Sequence, residues 1–184
     1  MRSRIEIAKF LECQPLILSV LRQVEALLLQ DCWVGAGLNR NAVWNQLHGR
    51  PVELSLDSDV DVVYWDPNDI HPERDIAIEK RLFVENADIP WSVHNQARMH
   101  ERNGDAPYRN TEDAIRCWPE TATAIAARLS GTRVEVLTPH GVQDLVNLIV
   151  RPTPAFAQKQ SIYSARISSK DWARRWPRLQ FLAD

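Results

Sequence analysis

Apolar residues recur at helical spacing through residues 15–29, at Leu16, Val20, Val24, Leu27 and Leu28, which is the pattern of an amphipathic helix. Pro15 suits its first position, and residues 4–13 read as a helix before it. Cys32-Trp33-Val34 reads as a short strand running into a turn at Gly35-Ala36-Gly37, where the chain can bend tightly. Leu38 to Leu47 then reads as a helix ended by Gly49. The run Asp59-Val60-Asp61-Val62-Val63-Tyr64-Trp65 is rich in residues that favour an extended strand, and Asp66-Pro67-Asn68-Asp69 closes it as a turn. Arg74–Glu85 alternates acids and bases around Ile76, Ile78 and Leu82, an amphipathic helix. Trp91–Gln96 reads as a strand and 97–109 as a polar loop. A short helix starts at Thr111, and another is predicted from Pro119 to Leu129, stopping at Gly131. Arg133–Leu137 alternates like a strand, and 142–150 reads as a short apolar helix. Pro152 and Pro154 break the chain, and 158–176 reads as helical.

Strands and helices are therefore mixed along the chain. The fold class is α/β or α+β, a small mixed sheet flanked by helices. With 184 residues, the expected organisation is a single domain over 1–184. It carries N-terminal helices (4–29) and a C-terminal helical tail (158–178).

Asp59 and Asp61 carry the chemistry. In a strand, residues two apart point to one face, so the two carboxylates project together while Val60, Val62 and Tyr64 face the other way. Converging carboxylates repel unless a cation lies between them. Mg²⁺ (or Mn²⁺) is the usual cation for such oxygen ligands, and it commonly brings phosphates. An Asp-x-Asp at a strand edge is also what a solvated turn contains; Asp57, in the preceding turn, reads as a turn or cap residue. Upstream, the glycine turn opens a helix whose first residues include Asn39 and Arg40. Exposed backbone N–H groups and the helix N-terminus favour an anion, and Arg40 offers a charged fork for phosphate oxygens. Strand, glycine turn, helix and acidic strand together make a layout suited to phosphoryl or nucleotidyl transfer.

Composition narrows the partners. The net charge of −2 gives no sign of a broad nucleic-acid surface, although it leaves room for a local basic groove. Cys13, Cys32 and Cys117 are odd in number and lack zinc spacing, as reduced thiols of a cytoplasmic protein would be. No stretch is long enough to span a membrane. Trp118-Pro119 and Trp176-Pro177 read as helix junctions with buried indoles. Arg166, Lys170, Arg174, Arg175 and Arg178 read as a solvated helix face, with a local nucleic-acid contact as the alternative. His94 and His100 read as hydrogen-bonding loop residues.

These stretches resemble the DNA polymerase β-like nucleotidyltransferase superfamily. Its signature is a glycine-bearing strand-to-helix turn, an acidic-x-acidic strand and a third acid on a later strand. More closely, about residues 31–178 resemble a bacterial nucleotidyltransferase-like family. The resemblance is carried by Gly-Leu-Asn-Arg-Asn-Ala-Val-Trp-Asn-Gln-Leu-His-Gly-Arg (37–50), Asp-Val-Asp-Val-Val-Tyr-Trp-Asp (59–66), Asn-Gln-Ala-Arg-Met-His (95–100), Pro-Tyr-Arg-Asn-Thr-Glu-Asp-Ala (107–114), Trp-Pro-Glu-Thr-Ala-Thr-Ala (118–124) and Arg-Trp-Pro-Arg-Leu (175–179). It implies a nucleotidyltransferase fold and a metal-dependent enzyme that moves a nucleoside monophosphate from an NTP to an acceptor it does not name. Asp59 and Asp61 would be catalytic and hold the metal. Gly35, Gly37, Asn39, Arg40, Arg98 and Arg109 would bind substrate. The chain departs from the signature in two places. Ala36 stands where the superfamily usually has a serine. The next strand, Trp91-Ser92-Val93-His94-Asn95, carries no carboxylate, and Glu135, flanked by Val134 and Val136, is a candidate for the third acid. These departures favour the alternative of a catalytically weak or inactive nucleotide-binding or regulatory protein of the same fold. A third reading is an interaction module using the Trp-rich, basic C-terminal half.

Overall fold

The structure is a computed structural model that describes residues 1–54 and 58–182; Asp57 lies outside the described residues. Five strands form the main sheet, in the order β3-β2-β1-β4-β5: β1 (Trp33–Gly35), β2 (Val60–Tyr64), β3 (Trp91–Asn95), β4 (Ala126–Ser130) and β5 (Arg133–Leu137). β2 and β3 are parallel, and the other pairs are antiparallel. The mixed sheet flanked by helices agrees with the class read from the sequence.

Register sorts the side chains onto two faces. Val62, Val34, Ala127 and Val136 are neighbours across the sheet, so they share one face. They join a large apolar core with Val60, Tyr64 and Val93. Against this face pack α1 (Arg4–Glu12), α2 (Pro15–Glu25), α3 (Gly37–Leu47) and α4 (Pro72–Glu85). α1, α3 and α4 arise where the periodicity places them, whereas α2 stops at Glu25, short of the predicted residue 29, and Leu28 leaves the apolar stripe at φ 53 and 89% exposed. Ser3 caps α1 by accepting from the Glu6 N–H, and α2 buries Ile17, Val20, Leu21 and Val24 along one stripe. The opposite face holds a smaller cluster of Trp33, Val63, Ala126 and Leu137 with Ile115, Ala124 and Trp118.

Four further predicted elements differ from the structure. The helix predicted from Pro119 to Leu129 is instead irregular and then strand β4. β4 turns through Gly131, at φ +64, into β5, because the apolar run 124–129 pairs between β1 and β5 where its backbone groups find partners. The polar loop 97–109 contains a helical turn, α5 (Met99–Asn103), stopped by Gly104. The apolar helix 142–150 shortens to α7 (Gln143–Val146), after α6 (Thr111–Arg116), and continues as β6 (Ile149–Val150). β6 pairs with β7 (Gln180–Phe181). The tail divides into α8 (Gln160–Ser169) and α9 (Trp172–Arg175).

Candidate active site

The β1–α3 connection is anchored by hydrogen bonds on both sides. Ala36 donates its N–H to the Ile125 carbonyl at 2.8 Å and accepts from the Arg40 N–H at 3.0 Å. Its backbone, φ 38 and ψ −104, lies in the region that L residues seldom occupy. Asn39 is fully buried and donates Nδ2 to the Val34 carbonyl at 2.8 Å, which ties the start of α3 to β1. A Cβ on Gly35 would meet Trp118 Cη2 at 2.5 Å, so Gly35 is required by the indole lying across it. A Cβ on Gly37 would meet the Asp59 carbonyl at an ordinary 3.5 Å. The Gly37 turn therefore sits beside the chain entering β2.

Asp61 lies on the face of the smaller cluster, in line with Gly35 on β1 and Ser92 on β3. It lines a cavity of about 590 Å³ whose walls include Ala36, Trp118, His94, Arg102, Arg166 and Lys170. Asp61 is half-buried and Asp59 exposed. Burial, and next the charge of Asp59, raises the Asp61 carboxyl to about 6. Arg40, Arg166 and Lys170 act in the opposite direction. Burial, followed by Arg166 and Arg40, lowers the Lys170 ammonium.

The remaining expected site residues are placed elsewhere. Arg40 does not line the cavity. It is 5% exposed, bonds Asn41 Oδ1 at 2.9 Å and lies over the rings of Trp44 and Trp172, at 5.0 and 4.5 Å. Burial lowers it to about 10. It is a fixed buried cation whose field reaches Asp61, on a helix enclosed from Gly37 to Asn45. Arg98 pairs with Asp75, which also accepts from Tyr64 Oη at 2.7 Å and the Asn95 N–H at 3.1 Å. Arg98 is thereby held on the α4 side of the sheet. Arg109 is 84% exposed and pairs with Asp113 one helical turn away. Glu135 shares the face of Asp61 but lies three strands away, about 14 Å at ordinary strand spacing. Arg128 engages it at 2.6 Å. Glu135 therefore does not meet Asp59 and Asp61.

Other residues occupy the cavity. Arg166 of α8 and Lys170, the extended residue that caps its C-terminus, read as a solvated face, line the cavity together with Ile162. The i, i+4, i+8 spacing with an apolar first member was the available signal. His94 faces the cavity from β3, its Nε2 3.1 Å from Ser92 Oγ; burial lowers its ring. His100 remains a local loop residue, Nδ1 to the Ala97 carbonyl at 3.0 Å. Nothing in the sequence marked Glu120, which is fully buried and bound to Arg166 at 2.6 Å.

The residues that could hold a divalent cation are Asp59 and Asp61. Two hard oxygen donors, one driven upward by burial and then by the other's charge, are a donor set that such a cation relieves. Among the described residues no group of three or more His, Cys, Asp or Glu is arranged to hold a metal. The protein would therefore supply two carboxylates, and other ligands the remainder.

A glycine turn into a helix, beside a strand whose carboxylate opens into a cavity with a cationic wall, is a layout suited to nucleotidyl transfer. The comparisons agree, and the chain belongs to a nucleotidyltransferase family whose profile matches residues 22–181. Among solved structures, an NMR structure described as revealing a CCA-adding enzyme head domain is 32% identical. The alignment spans 100% of this chain and 98% of that one, with TM-score 0.88. The apo form of a tRNA-processing enzyme shares the fold at 16% identity and TM-score 0.53, over 89% of this chain and 42% of that enzyme. No curated protein matches the chain. No helix among the described residues is long and apolar enough to cross a membrane.

Proposed function

We propose that the protein is a metal-dependent nucleotidyltransferase that moves a nucleoside monophosphate from an NTP to an acceptor. The observation that carries this is Asp61 opening, with Asp59 beside it, into a cavity that faces the cationic side of α8. Asp59 and Asp61 would hold Mg²⁺ or Mn²⁺. When bound, the cation would neutralise charge developing on the phosphate under attack. The chain's own groups do the rest. The Gly35–Gly37 turn brings the N-terminus of α3 beside Asp59, where its dipole favours an anion. Arg40, buried and fixed, supplies positive potential to Asp61. Trp118 lines the cavity and lies across Gly35. The likeness to a CCA-adding enzyme head supports an NTP as donor.

One observation favours a second reading, a nucleotide-binding protein without turnover. No third carboxylate joins Asp59 and Asp61 among the described residues. The deciding experiment follows label from [α-³²P]NTPs into a metabolite and RNA pool, with Mg²⁺ and with EDTA. Label transferred by wild type with Mg²⁺ and lost in Asp61→Asn supports the enzyme. Nucleotide binding with no transfer across the pool supports the second reading.

A further inference from the structure

The cavity's cationic wall is anchored from behind. Glu120 is fully buried, and both its oxygens are used: Oε1 accepts from Arg166 Nε at 2.6 Å and Oε2 from Thr123 Oγ1 at 2.7 Å. Its backbone is also fixed. Glu120 bridges to Pro152, and its carbonyl accepts from the Thr123 and Ala124 N–H groups at 3.0 Å. A carboxylate this deeply buried costs several kcal/mol unless a cation compensates it, so Glu120 fixes where one guanidinium must lie.

The contact to Glu120 uses Nε, the inner donor of the fork. The Trp172 ring lies 5.9 Å from the guanidinium carbon. Arg166 is partly exposed and lines the cavity, so its two terminal nitrogens remain for a ligand there. Lys170, just past the C-terminus of α8, is on the same wall, and Arg102 of α5 also lines the cavity. Among the described residues neither Lys170 nor Arg102 forms an ion pair. Three cations from two elements thus border one space, one of them pre-aimed. Such a layout suits a multiply charged anion with oxygens along its length, and a guanidinium fork matches phosphate oxygens.

We infer that Arg166 and Lys170 form a binding site for the polyphosphate tail of a nucleoside triphosphate that works without metal. In the same inference, buried Glu120 is the positioning residue that aims Arg166 into that site. The choice of ligand rests on the nucleotidyl-transfer reading, whereas the anion site is tested independently of it.

The test is calorimetric titration of the full chain with inorganic tripolyphosphate in EDTA at low salt. Wild type is expected to bind. Arg166→Ala, Arg166→Lys and Glu120→Gln are each expected to weaken binding at least tenfold, with thermal unfolding recorded alongside. Lysine keeps the charge but loses the fork that Glu120 orients, and its site on a half-exposed helix face makes this variant the safeguard if Glu120→Gln does not fold. The double variant Glu120→Gln/Arg166→Ala should be no weaker than Arg166→Ala alone, because Glu120 acts through Arg166. No binding by wild type, or unchanged binding in Arg166→Ala or Arg166→Lys, overturns the site. A folded Glu120→Gln protein that binds as wild type does reduces Glu120 to a core residue and overturns its positioning role. Failure of label transfer with tripolyphosphate binding intact would remove the enzymatic reading and leave the anion site standing.

Discussion

The two faces of the sheet are made from the same five strands yet serve opposite ends. One face carries Val34, Val60, Val62 and Tyr64 into the main core under α1 to α4. The other carries Asp61, Gly35 and Val63 toward a small apolar cluster and a cavity. The first maximises apolar burial, at about 25 cal/mol per Å² removed from water. The second gives up part of that burial to keep a carboxylate among cations. Alternation along β2 means that a single residue step separates a position where charge is intolerable from one where it is required.

The largest effect should come from putting charge on the wrong face. Val62 is fully buried, and Val62→Asp should cost more than about 4 kcal/mol, leaving little folded protein in a urea titration followed by circular dichroism. Its neighbour should behave in the opposite way. Asp61→Asn should fold normally and lower nucleotidyl transfer about a thousandfold, roughly 4 kcal/mol of barrier, with circular dichroism unchanged. Metal-free stability should also distinguish the two proteins. The folded-state carboxyl of Asp61 sits at about 6 against an ordinary 3.8, so the folded form holds its proton more tightly than the unfolded chain. Wild type should therefore lose stability relative to Asp61→Asn as pH rises from about 4 to 6 in EDTA and stay lower above that. The reverse slope in paired urea titrations would contradict the burial described for Asp61.

Smaller effects test the turn and the far edge. Gly35→Ala drives a methyl into Trp118 and should cost about 1–3 kcal/mol, whereas Gly37→Ala meets only ordinary contacts and should stay within about 0.5 kcal/mol. Denaturation midpoints of the pair would show whether the turn's two glycines have different jobs. Smallest of all, Glu135→Gln removes one side of a pair that is 44% exposed at the carboxylate. It should change transfer less than twofold and stability by at most about 1 kcal/mol. A tenfold loss of turnover would restore Glu135 to the reaction.

Legibility in the sequence followed the range of the interactions concerned. β2, α3 and α4 were readable because local periodicity and local burial agree there. The parity argument that set Asp61 opposite Val62 holds in the observed register. β4 was misread as helix because Ala124 to Leu129 has no local strand signal; its conformation is decided by β1 and β5, which pair with it on either side. The burial of Arg40 is hidden from local spacing for a related reason. At the start of a helix it has the look of a phosphate ligand, but the indole of Trp172, more than a hundred residues later, covers it. Arg166 and Glu120 stand 46 residues apart, and no spacing rule links them.

The stack of indoles around Arg40 also has an optical consequence. Trp44 on α3 meets Trp172 edge-on at 5.6 Å and Trp176 at 5.1 Å. Aromatic transitions this close exchange excitation and produce strong near-ultraviolet dichroism whose sign depends on their mutual angle. Two of the three partners belong to α9 and its cap. The protein thus contains a spectroscopic ruler between the helix that opens the site and the segment that follows its cationic wall, readable without any added dye.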